Sequence, residues 1–502
     1  MRTLALTALA FLLPLTPALA QDAQPAQPAA SEPQATQASS FELVLDAQAH
    51  PKPYSGRVYL VFSTRHNTEP RRMMGDWFSK TQIVALDVQA VAPGSSFSIP
   101  DGAMGWPQAP KDIPAGEYTV QAVARVNPDA PTAGEGAGDL YSKPLRVKFD
   151  RSVPTLVPTR LVLDQTVAER KFRENDRVKL FEMKSPSLSK FLGRDRTIRA
   201  GVVLPKEWKD DQSSSYPTLV WIPGFGGDHH GASAMSRMLG DDCLIIVPDP
   251  SCYRGHSVFA DSANNGPWGQ ALVEELIPAI EAKFHGAKSA DNRFVSGMSS
   301  GGWSSLWLQV SYPDFFGGVW SHCPDPVDFR DFQQINLYEP GMNLFKDPQG
   351  GRRPVARQGD TPSLFMEDFV AQEEVMGPGG QIHAFEAVFS PKLPDGQPRP
   401  MFDRKTGAID VETANAWKPY DIRLKLEREW ATLGPKLKGK LRIYAGEKDT
   451  FYLEGATRRL GETLKALGSD ATVEIVKGMP HAIHRPGITA MLDEIKAKQG
   501  KP

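Results

Sequence analysis

The sequence predicts an α/β protein in two parts, a small β-sandwich followed by a mostly parallel sheet with helices on both faces. In residues 41–150, short strand-like segments are separated by Pro, Gly and Asn at the intervals of an antiparallel sandwich. From about residue 195 onward, apolar strand-like runs alternate with segments of helical apolar period. That alternation predicts parallel strands joined by helices that cover the sheet.

The first 40 residues predict an export signal and a linker. Arg2 precedes an apolar run over residues 4–15, and Ala18-Leu19-Ala20 has the small-x-small form of a cleavage site. We therefore expect residues 1–20 to be a signal peptide and the mature protein to be periplasmic or secreted. Residues 21–40 are rich in Ala, Gln, Pro and Ser, which predicts a disordered linker.

The 41–150 block is predicted to be an Ig-like sandwich domain. Its predicted strands are 41–45, 57–62, 117–123 and 145–149. The block contains no grouping of nucleophile, acid and base. Its sequence leaves its function open among packing, substrate capture and wall attachment.

Residues 151–502 are predicted to form the parallel-sheet domain. Strands are predicted at 199–204, 218–222, 243–247, 293–296, 441–445 and 471–476, and helices near 270–284, 453–467 and 488–495. Residues 324–438 interrupt the alternation with many Pro, Gly and charged residues. Because a structureless segment of that length is unusual in a compact domain, we expect a partly helical cap over the site. A disordered excursion is the alternative.

Composition and charge exclude several kinds of partner. Hydrophobic residues make up 40% of the 502 residues and charged residues 23%, and the formal net charge is -2. We therefore predict no nucleic-acid binding. After the predicted signal peptide, no apolar stretch is long enough for a transmembrane helix.

The cysteines and histidines suggest no metal or cofactor. No Cys/His cluster has zinc spacing, and the pair His229-His230 is interpreted as part of a Gly-rich loop. An oxidising compartment would permit a disulfide, and Cys243 and Cys252 are the closest pair in sequence. With Cys323 as the third cysteine, the pairing stays open.

The segment Gly297-Met298-Ser299-Ser300-Gly301 has the form G-x-S-x-G. A short strand pattern precedes it, and apolar residues at i, i+3, i+4 and i+7 follow it. This is the strand, turn and helix setting of a nucleophile elbow, which lifts the serine hydroxyl clear of the sheet. The N-terminus of the following helix favours negative charge beside that hydroxyl. We predict Ser299 as a nucleophile.

A serine hydroxyl needs a base to become a nucleophile, and after an elbow of this kind the acid and then the histidine follow in the chain. Asp449 and Glu447 both lie just after the predicted strand 441–445, and Asp449 is favoured as the acid. His481 and His484 follow the next predicted strand. His481 is favoured as the base because it lies nearer the end of the strand.

An oxyanion hole requires two backbone N–H donors aimed at the tetrahedral oxygen. The N–H of Ser300 directly follows the predicted nucleophile and is the first candidate. The loop 223–227, Pro-Gly-Phe-Gly-Gly, follows the predicted strand 218–222 and permits close backbone approach. Phe225 or Gly226 is predicted to supply the second donor.

With these residues, the chain resembles the putative-esterase family of α/β hydrolases, which includes esterase D-like, feruloyl-esterase-like and enterochelin-esterase-like members. The similarity covers roughly residues 195–330 and 438–500. The segments that carry it are 221–227, 265–270, 274–278, 297–302, 446–449 and 478–481. The resemblance implies an α/β-hydrolase fold and hydrolysis of an ester.

We therefore expect a secreted serine hydrolase that acts on carboxylic esters through a Ser-His-Asp triad and an acyl-enzyme. The expected partner is a small-molecule or polymer-linked ester. A transacylase or a serine peptidase could use the same fold. From a different class, a non-catalytic binding protein with a hydrolase-like domain is the further alternative. The oligomeric state stays open.

Overall fold

The computed structural model describes residues 35–155, 157–211 and 213–498. The predicted signal peptide, residues 1–20, and residues 21–34 of the predicted linker lie outside the described residues. From Ala35 onward the chain packs as one unit.

Two β-sheets form the N-terminal part. The strands are β1 (Thr36–Ala38), β2 (Phe41–Leu45), β3 (Tyr54–Ser63), β4 (Gln82–Val91), β5 (Ser96–Ser98), β6 (Met104–Trp106), β7 (Gly116–Ala124), β8 (Leu140–Tyr141), β9 (Leu145–Phe149), β10 (Thr159–Leu163) and β11 (Gln165–Thr166). The larger sheet has the order β1-β9-β7-β3-β4-β6, with β8 beside β7 and β11 beside β8; the smaller has the order β10-β2-β5. Leu43 and Leu161 of the smaller sheet share a core with Leu60 and Phe149 of the larger one.

The strands of this part reach beyond the predicted range 41–150. β1, which falls inside the predicted linker 21–40, pairs in parallel with β9, and β10 pairs in parallel with β2. These segments are strands because they complete sheets whose other strands lie far away in sequence. Local composition, the basis of the prediction, carries no information on such pairing.

A second, eight-stranded sheet forms the centre of the remaining chain. Its strands are β12 (Val178–Lys184), β13 (Thr197–Val203), β14 (Thr218–Ile222), β15 (Leu244–Pro248), β20 (Arg293–Met298), β21 (Gly318–His322), β24 (Leu441–Gly446) and β25 (Thr472–Val476). Three two-stranded sheets lie outside it: β16 (Ser251–Cys252) with β17 (Gly255–His256), β18 (Asp261–Ser262) with β19 (Gly266–Pro267), and β22 (Pro354–Gln358) with β23 (Thr361–Phe365).

The helices are α1 (Pro186–Leu192), α2 (Ala232–Met238), α3 (Trp268–Gln270), α4 (Ile277–Phe284), α5 (Ser300–Ser311), α6 (Met366–Met376), α7 (Gln381–Phe389), α8 (Val411–Ala416), α9 (Ile422–Leu437), α10 (Glu454–Ala466) and α11 (Arg485–Ala497), with a π-helical stretch, Ala271–Leu276, between α3 and α4. Short 3₁₀ turns occur at Pro70–Met73, Pro110–Asp112, His229–Gly231, Ala290–Asn292, Phe329–Asp331 and Lys418–Tyr420.

The central sheet is mostly parallel, and its order is β12-β13-β15-β14-β20-β21-β24-β25. β12 and β13 are antiparallel to their neighbours, and all pairs from β15 to β25 are parallel. β14, β15 and β21 are buried along their whole length. Apolar clusters lie on both faces of the sheet, as expected where helices cover both faces. The predicted α/β architecture is confirmed.

The segment between β21 and β24 is the one predicted as a cap over residues 324–438. Its hairpin and the helices α6 and α7 lie on the side of the sheet where Ser299 is found. α9, which ends the segment, packs instead on α5 and buries Leu426 and Leu433 in the core of the sheet. The part that covers the site therefore ends before α9, and α9 is one of the helices that flank the sheet.

Within the described residues, no helix is long and apolar enough to cross a membrane. Cys243, Cys252 and Cys323 are all buried and free. The closest pair in sequence, Cys243 and Cys252, therefore forms no disulfide in this structure.

Candidate active site

Ser299 lies at the sharp turn between β20 and α5. Its backbone has φ 61° and ψ -127°, a conformation that non-glycine residues rarely adopt. Glycines flank it because the turn leaves no space for side chains. A Cβ on Gly297 would lie 2.3 Å from the carbonyl oxygen of Gly301, and a Cβ on Gly301 would lie 2.1 Å from that of Ile222. The strand, the turn and the helix thus present Ser299 at the carboxyl end of β20.

His481 and Asp449 form a hydrogen-bonded pair. His481 Nδ1 lies 2.8 Å from Asp449 Oδ2, and the Asp449 side chain is fully buried. Because a carboxylate only accepts, Nδ1 carries the proton and Nε2 is left as the basic nitrogen. The other carboxylate oxygen, Oδ1, accepts from the backbone N–H of Phe451 at 2.9 Å, and Arg357 donates to the Asp449 carbonyl. Asp449 is held in one orientation by these contacts.

The two alternatives from the sequence take other positions. Glu447 accepts a hydrogen bond from the backbone N–H of Gly478, at 2.9 Å. His484 packs edge-on against Tyr444, and its backbone N–H donates to Nδ1 of His322 at 3.3 Å. Glu447 therefore closes the loop that carries His481, and His484 is packed at the start of α11.

The loop predicted to supply an oxyanion donor lies beside Ser299. A Cβ placed on Gly224 would lie 3.4 Å from the Ser299 Cβ. The next residues form a tight turn in which Gly227 N–H donates to the Gly224 carbonyl, and Gly226 has φ 78° as such a turn requires. The N–H groups of Phe225 and Gly226 therefore belong to a turn close to the serine.

His256 holds the start of that turn through a hydrogen bond to the Pro223 carbonyl. Its Nδ1 accepts from the backbone N–H of Val258 at 3.0 Å, so its Nε2 carries the proton and donates to the Pro223 carbonyl at 2.9 Å. Burial lowers the pKa of His256 to about 4, which keeps the ring neutral. Nothing local to His256 in the sequence marks it as a support of residues 223–227, so this role is not among the predictions.

Asp325 is the second residue that the sequence analysis missed, and it lies against the predicted nucleophile. Its Oδ1 is 3.5 Å from Ser299 Oγ, and its Oδ2 accepts from the Ser300 hydroxyl at 2.5 Å. Burial raises the pKa of the Asp325 carboxyl to about 6. It follows β21, and an acid just beyond the end of a parallel strand is the signal that could have identified it. β21 itself was not predicted, so that signal was lost.

A cavity of about 40 Å³ opens onto Ser299. Its aromatic wall comes from four separate segments of the chain and consists of Trp77, Phe369, Phe385 and Phe451. Trp77, from the N-terminal part, stacks on Phe225 with ring centres 5.6 Å apart and meets Phe369 and Phe451 edge-on. The wall of the cavity is thus largely apolar, whereas its polar lining residues include Asp325 and Gln381.

Two groups of described residues bring potential metal-ligand atoms within 4.8 Å of one another: Asp228 with His229 and His230, and Cys323 with Asp449 and His481. In the second group, burial raises the pKa of the Cys323 thiol to about 12, and the thiol donates to the Ala482 carbonyl. A protonated thiol is a poor metal ligand.

In the first group, His229 Nδ1 lies 3.0 Å from Asp249 Oδ2, and Phe172 stacks on its ring. The 3₁₀ turn that carries His229 packs against β13 and β15, and these two contacts hold its ring in place.

The eight-stranded, mostly parallel sheet with helices on both faces is the α/β-hydrolase fold. A family model described as putative esterase matches residues 189–466, more than half of the chain. The chain belongs to the putative esterase family. The predicted family and the predicted enzyme class, an esterase-like hydrolase, are confirmed.

Known relatives and solved structures resemble parts of the chain. Two esterases of Mycobacterium tuberculosis, from strains CDC 1551 and H37Rv, are 28% identical over 141 residues, which is 26% of this chain and 30% of each relative. A ferulic acid esterase structure covers 64% of this chain and 98% of its own, at 12% identity and TM-score 0.38. An S-formylglutathione hydrolase from Agrobacterium tumefaciens covers 63% and 92%, at 15% identity and TM-score 0.38.

Proposed function

We propose that the protein hydrolyses carboxylic esters with Ser299 as nucleophile, His481 as general base and Asp449 as the residue that orients His481. The observation that carries this proposal is the conformation of Ser299, which has a positive φ at the turn between β20 and α5 and lines the cavity. Such backbone strain persists only where the surrounding structure enforces it, and it is concentrated at functional sites. Membership in the putative esterase family supports the same reaction.

In the proposed reaction, Nε2 of His481 takes the proton from Ser299 Oγ as the oxygen attacks the ester carbonyl. The imidazolium that forms is stabilised by the carboxylate of Asp449 on Nδ1. The carbonyl oxygen becomes negative and is stabilised by the N–H of Ser300 together with that of Phe225 or Gly226. His481 then protonates the leaving alcohol. A water molecule, activated by the same nitrogen, releases the acid from the acyl-enzyme.

The walls of the cavity support an ester with a compact apolar acyl group. Aromatic side chains close it on several sides, and Val355, Leu364 and Leu453 contribute aliphatic surface. Burying an apolar acyl group of a few carbon atoms there contributes about 0.8 kcal/mol for each methylene. We therefore propose small-molecule esters, or ester groups that a polymer presents at its surface, as substrates.

The test uses the mature protein and its Ser299→Ala variant, with short and long p-nitrophenyl esters and a fluorophosphonate probe. The wild type is expected to hydrolyse the esters and to be labelled by the probe. The kcat of the variant should be at least about 10⁴-fold lower, and the probe should not label it. Ser311→Ala is the matched control, since Ser311 lies at the other end of α5 and its hydroxyl has no hydrogen-bond partner among the described residues. A wild type that neither labels nor turns over would refute the proposal.

We also propose that the chain is exported and that the mature protein begins at Gln21, after the predicted cleavage site. The full-length chain, expressed in a host with a secretion pathway, should be recovered outside the cytoplasm with the mass of residues 21–502. An Ala20→Arg variant lacks the small residue that cleavage requires, so the recovered protein should keep the mass of the uncleaved chain. Recovery of the unprocessed wild type in the cytoplasm would contradict this assignment.

A further inference from the structure

Asp325 places a carboxyl group in the floor of the cavity, directly beside the proposed nucleophile. It follows β21 and is 6% exposed. Both Asp325 and Ser299 line the cavity, and Oδ1 lies 3.5 Å from Ser299 Oγ. A group at this distance from the reacting oxygen is close enough to contact a polar group attached next to the scissile carbonyl.

The contacts of Asp325 leave part of its accepting capacity unused. Gln381 donates to the Ser300 hydroxyl at 3.4 Å, which leaves the proton of that hydroxyl for Asp325 Oδ2 at 2.5 Å. An ionised carboxylate offers about four acceptor sites, and Oδ1 has only the long contact with Ser299. Oδ1 therefore retains a free acceptor position toward the cavity.

The charge of Asp325 has no fixed partner. No lysine or arginine among residues 35–155, 157–211 and 213–498 forms an ion pair with it, and the groups that most favour its charged form are the Ser300 hydroxyl and then His481. A buried carboxylate without a cation is costly, and a ligand that supplies the opposite charge would lower that cost. The N-terminus of α5 offsets only part of that cost.

The position of Oδ1 defines which substrate atom it reaches. In the acyl-enzyme the carbonyl carbon is bonded to Ser299 Oγ, and a nitrogen on the neighbouring carbon lies about 3 Å from Oγ because three bonds of about 1.5 Å separate them. An oxygen 3.5 Å from Oγ can come within hydrogen-bond distance of that nitrogen when both lie on the same side of Oγ. The aromatic wall, with Trp77 and Phe385 among its members, surrounds the rest of the acyl group.

We propose that Asp325 binds an ammonium group on the carbon next to the scissile carbonyl, so that the preferred substrates are esters of α-amino acids with apolar side chains. This inference rests on the proposed function. A cation is favoured over a neutral hydroxyl at this position because only a cation compensates the buried charge of Asp325. The apolar side chain of such a substrate contacts the aromatic wall that lines the cavity.

The experiment compares two esters that differ only in the amino group, L-phenylalanine methyl ester and methyl 3-phenylpropionate, near pH 7. At that pH Asp325 is mostly ionised, because burial raises its pKa only to about 6. The wild type is expected to show a kcat/KM at least about 10-fold higher for the amino ester. N-acetyl-L-phenylalanine methyl ester, whose nitrogen is neutral, should lose that advantage.

The Asp325→Asn variant should bring the ratio of the two kcat/KM values close to one. The ratio is measured within one enzyme preparation, so it does not depend on how much of the variant folds. Asp360→Asn is the matched control, since Asp360 is an exposed carboxylate of the same segment, at the β22–β23 hairpin, and should leave the ratio unchanged.

A wild type that cleaves both esters equally, or prefers the ester without the amino group, would overturn the inference and leave the proposed function intact. An unchanged ratio in Asp325→Asn would overturn it as well. A wild type that cleaves neither ester and is not labelled by the fluorophosphonate probe would overturn the proposed function and the inference together. The two failures are therefore distinguishable.

Discussion

The hydrogen bond between His481 and Asp449 fixes the ring nitrogen that carries the proton. An amide at position 449 could donate to Nδ1 and would then leave the proton on Nε2, where it cannot act as a base. We expect Asp449→Asn to lower kcat by about 10³- to 10⁴-fold, with a smaller effect on KM. Steady-state kinetics with p-nitrophenyl acetate measure this.

The control for that variant is Glu447→Gln, which changes a carboxylate two residues away that contacts Gly478 and not His481. It should retain activity within about threefold. If the two variants lost activity equally, Asp449 would not be the acid.

The buried carboxylate of Asp325 lowers the stability of the fold where it is charged. Burial raises the pKa of Asp325 from the ordinary 3.8 to about 6, so the folded state binds the proton more tightly than the unfolded state does. The free energy of unfolding therefore falls as the pH rises from about 4 to about 6, and stays low above that range. A shift of this size corresponds to about 3 kcal/mol at most.

Asp325→Asn is accordingly expected to raise the free energy of unfolding by about 1–3 kcal/mol near pH 8, where the wild-type carboxyl is charged, and to change it little near pH 4. Urea unfolding of both proteins at the two pH values measures the difference. His481 and Asp449 are present in both proteins, so their contributions to the pH dependence cancel to first order when the two are compared. A variant that is equally destabilised at both pH values would indicate that Asp325 is only a structural hydrogen-bond acceptor.

At the scale of elements, the end of β24 and the loop that carries His481 are in close backbone contact. A Cβ on Gly446 would lie 2.1 Å from the Met479 carbonyl oxygen and 2.5 Å from that of Pro480. We expect Gly446→Ala to move this loop, to lower kcat by at least about 10-fold through misplacement of His481, and to destabilise the fold by about 1–3 kcal/mol.

The matched control is Gly102→Ala, because a Cβ at Gly102 has nothing within 4 Å. That variant should keep full activity and stability. Thermal unfolding and kcat, measured side by side, check both variants. Full activity in Gly446→Ala would show that the loop relaxes without cost.

The site residues that the sequence predicts are those whose positions depend on neighbouring secondary-structure elements in the chain. The turn at Ser299 was predictable because its glycines and its strand and helix are contiguous in the chain. Asp449 and His481 were assigned from their positions after strands, and here the structure brings the two side chains together. Asp325 and His256 were missed because their roles depend on contacts with distant segments, which local composition does not encode.

For the whole molecule, the N-terminal sheets support the segment that covers the site. Tyr59 OH donates to the Met376 carbonyl at 2.6 Å, and Arg57 Nη1 donates to the carbonyls of Glu374 and Val375. These carbonyls belong to the last turn of α6, where backbone acceptors lack partners within the helix. The sheets therefore hold α6, and through it Phe369, in place above Ser299.

The N-terminal part also contributes a side chain to the cavity, because Trp77 is one of its lining residues. Its ring lies between Phe225 of the proposed oxyanion loop and the aromatic residues Phe369 and Phe451. Trp77→Ala removes one wall, and we expect it to raise KM for short-chain esters by about 10-fold while longer acyl chains lose less, because they fill the enlarged cavity.

The matched control is the neighbour Phe78, which is 57% exposed. Phe78→Ala should leave the chain-length profile unchanged, so that a general loosening of the N-terminal part is separated from the loss of the wall. KM and kcat for p-nitrophenyl esters of two to eight carbons, measured for wild type and both variants, give that profile. If Trp77→Ala and Phe78→Ala gave the same profile as the wild type, the N-terminal sheets would hold the segment above the site without shaping the cavity, and substrate size would be set by that segment alone.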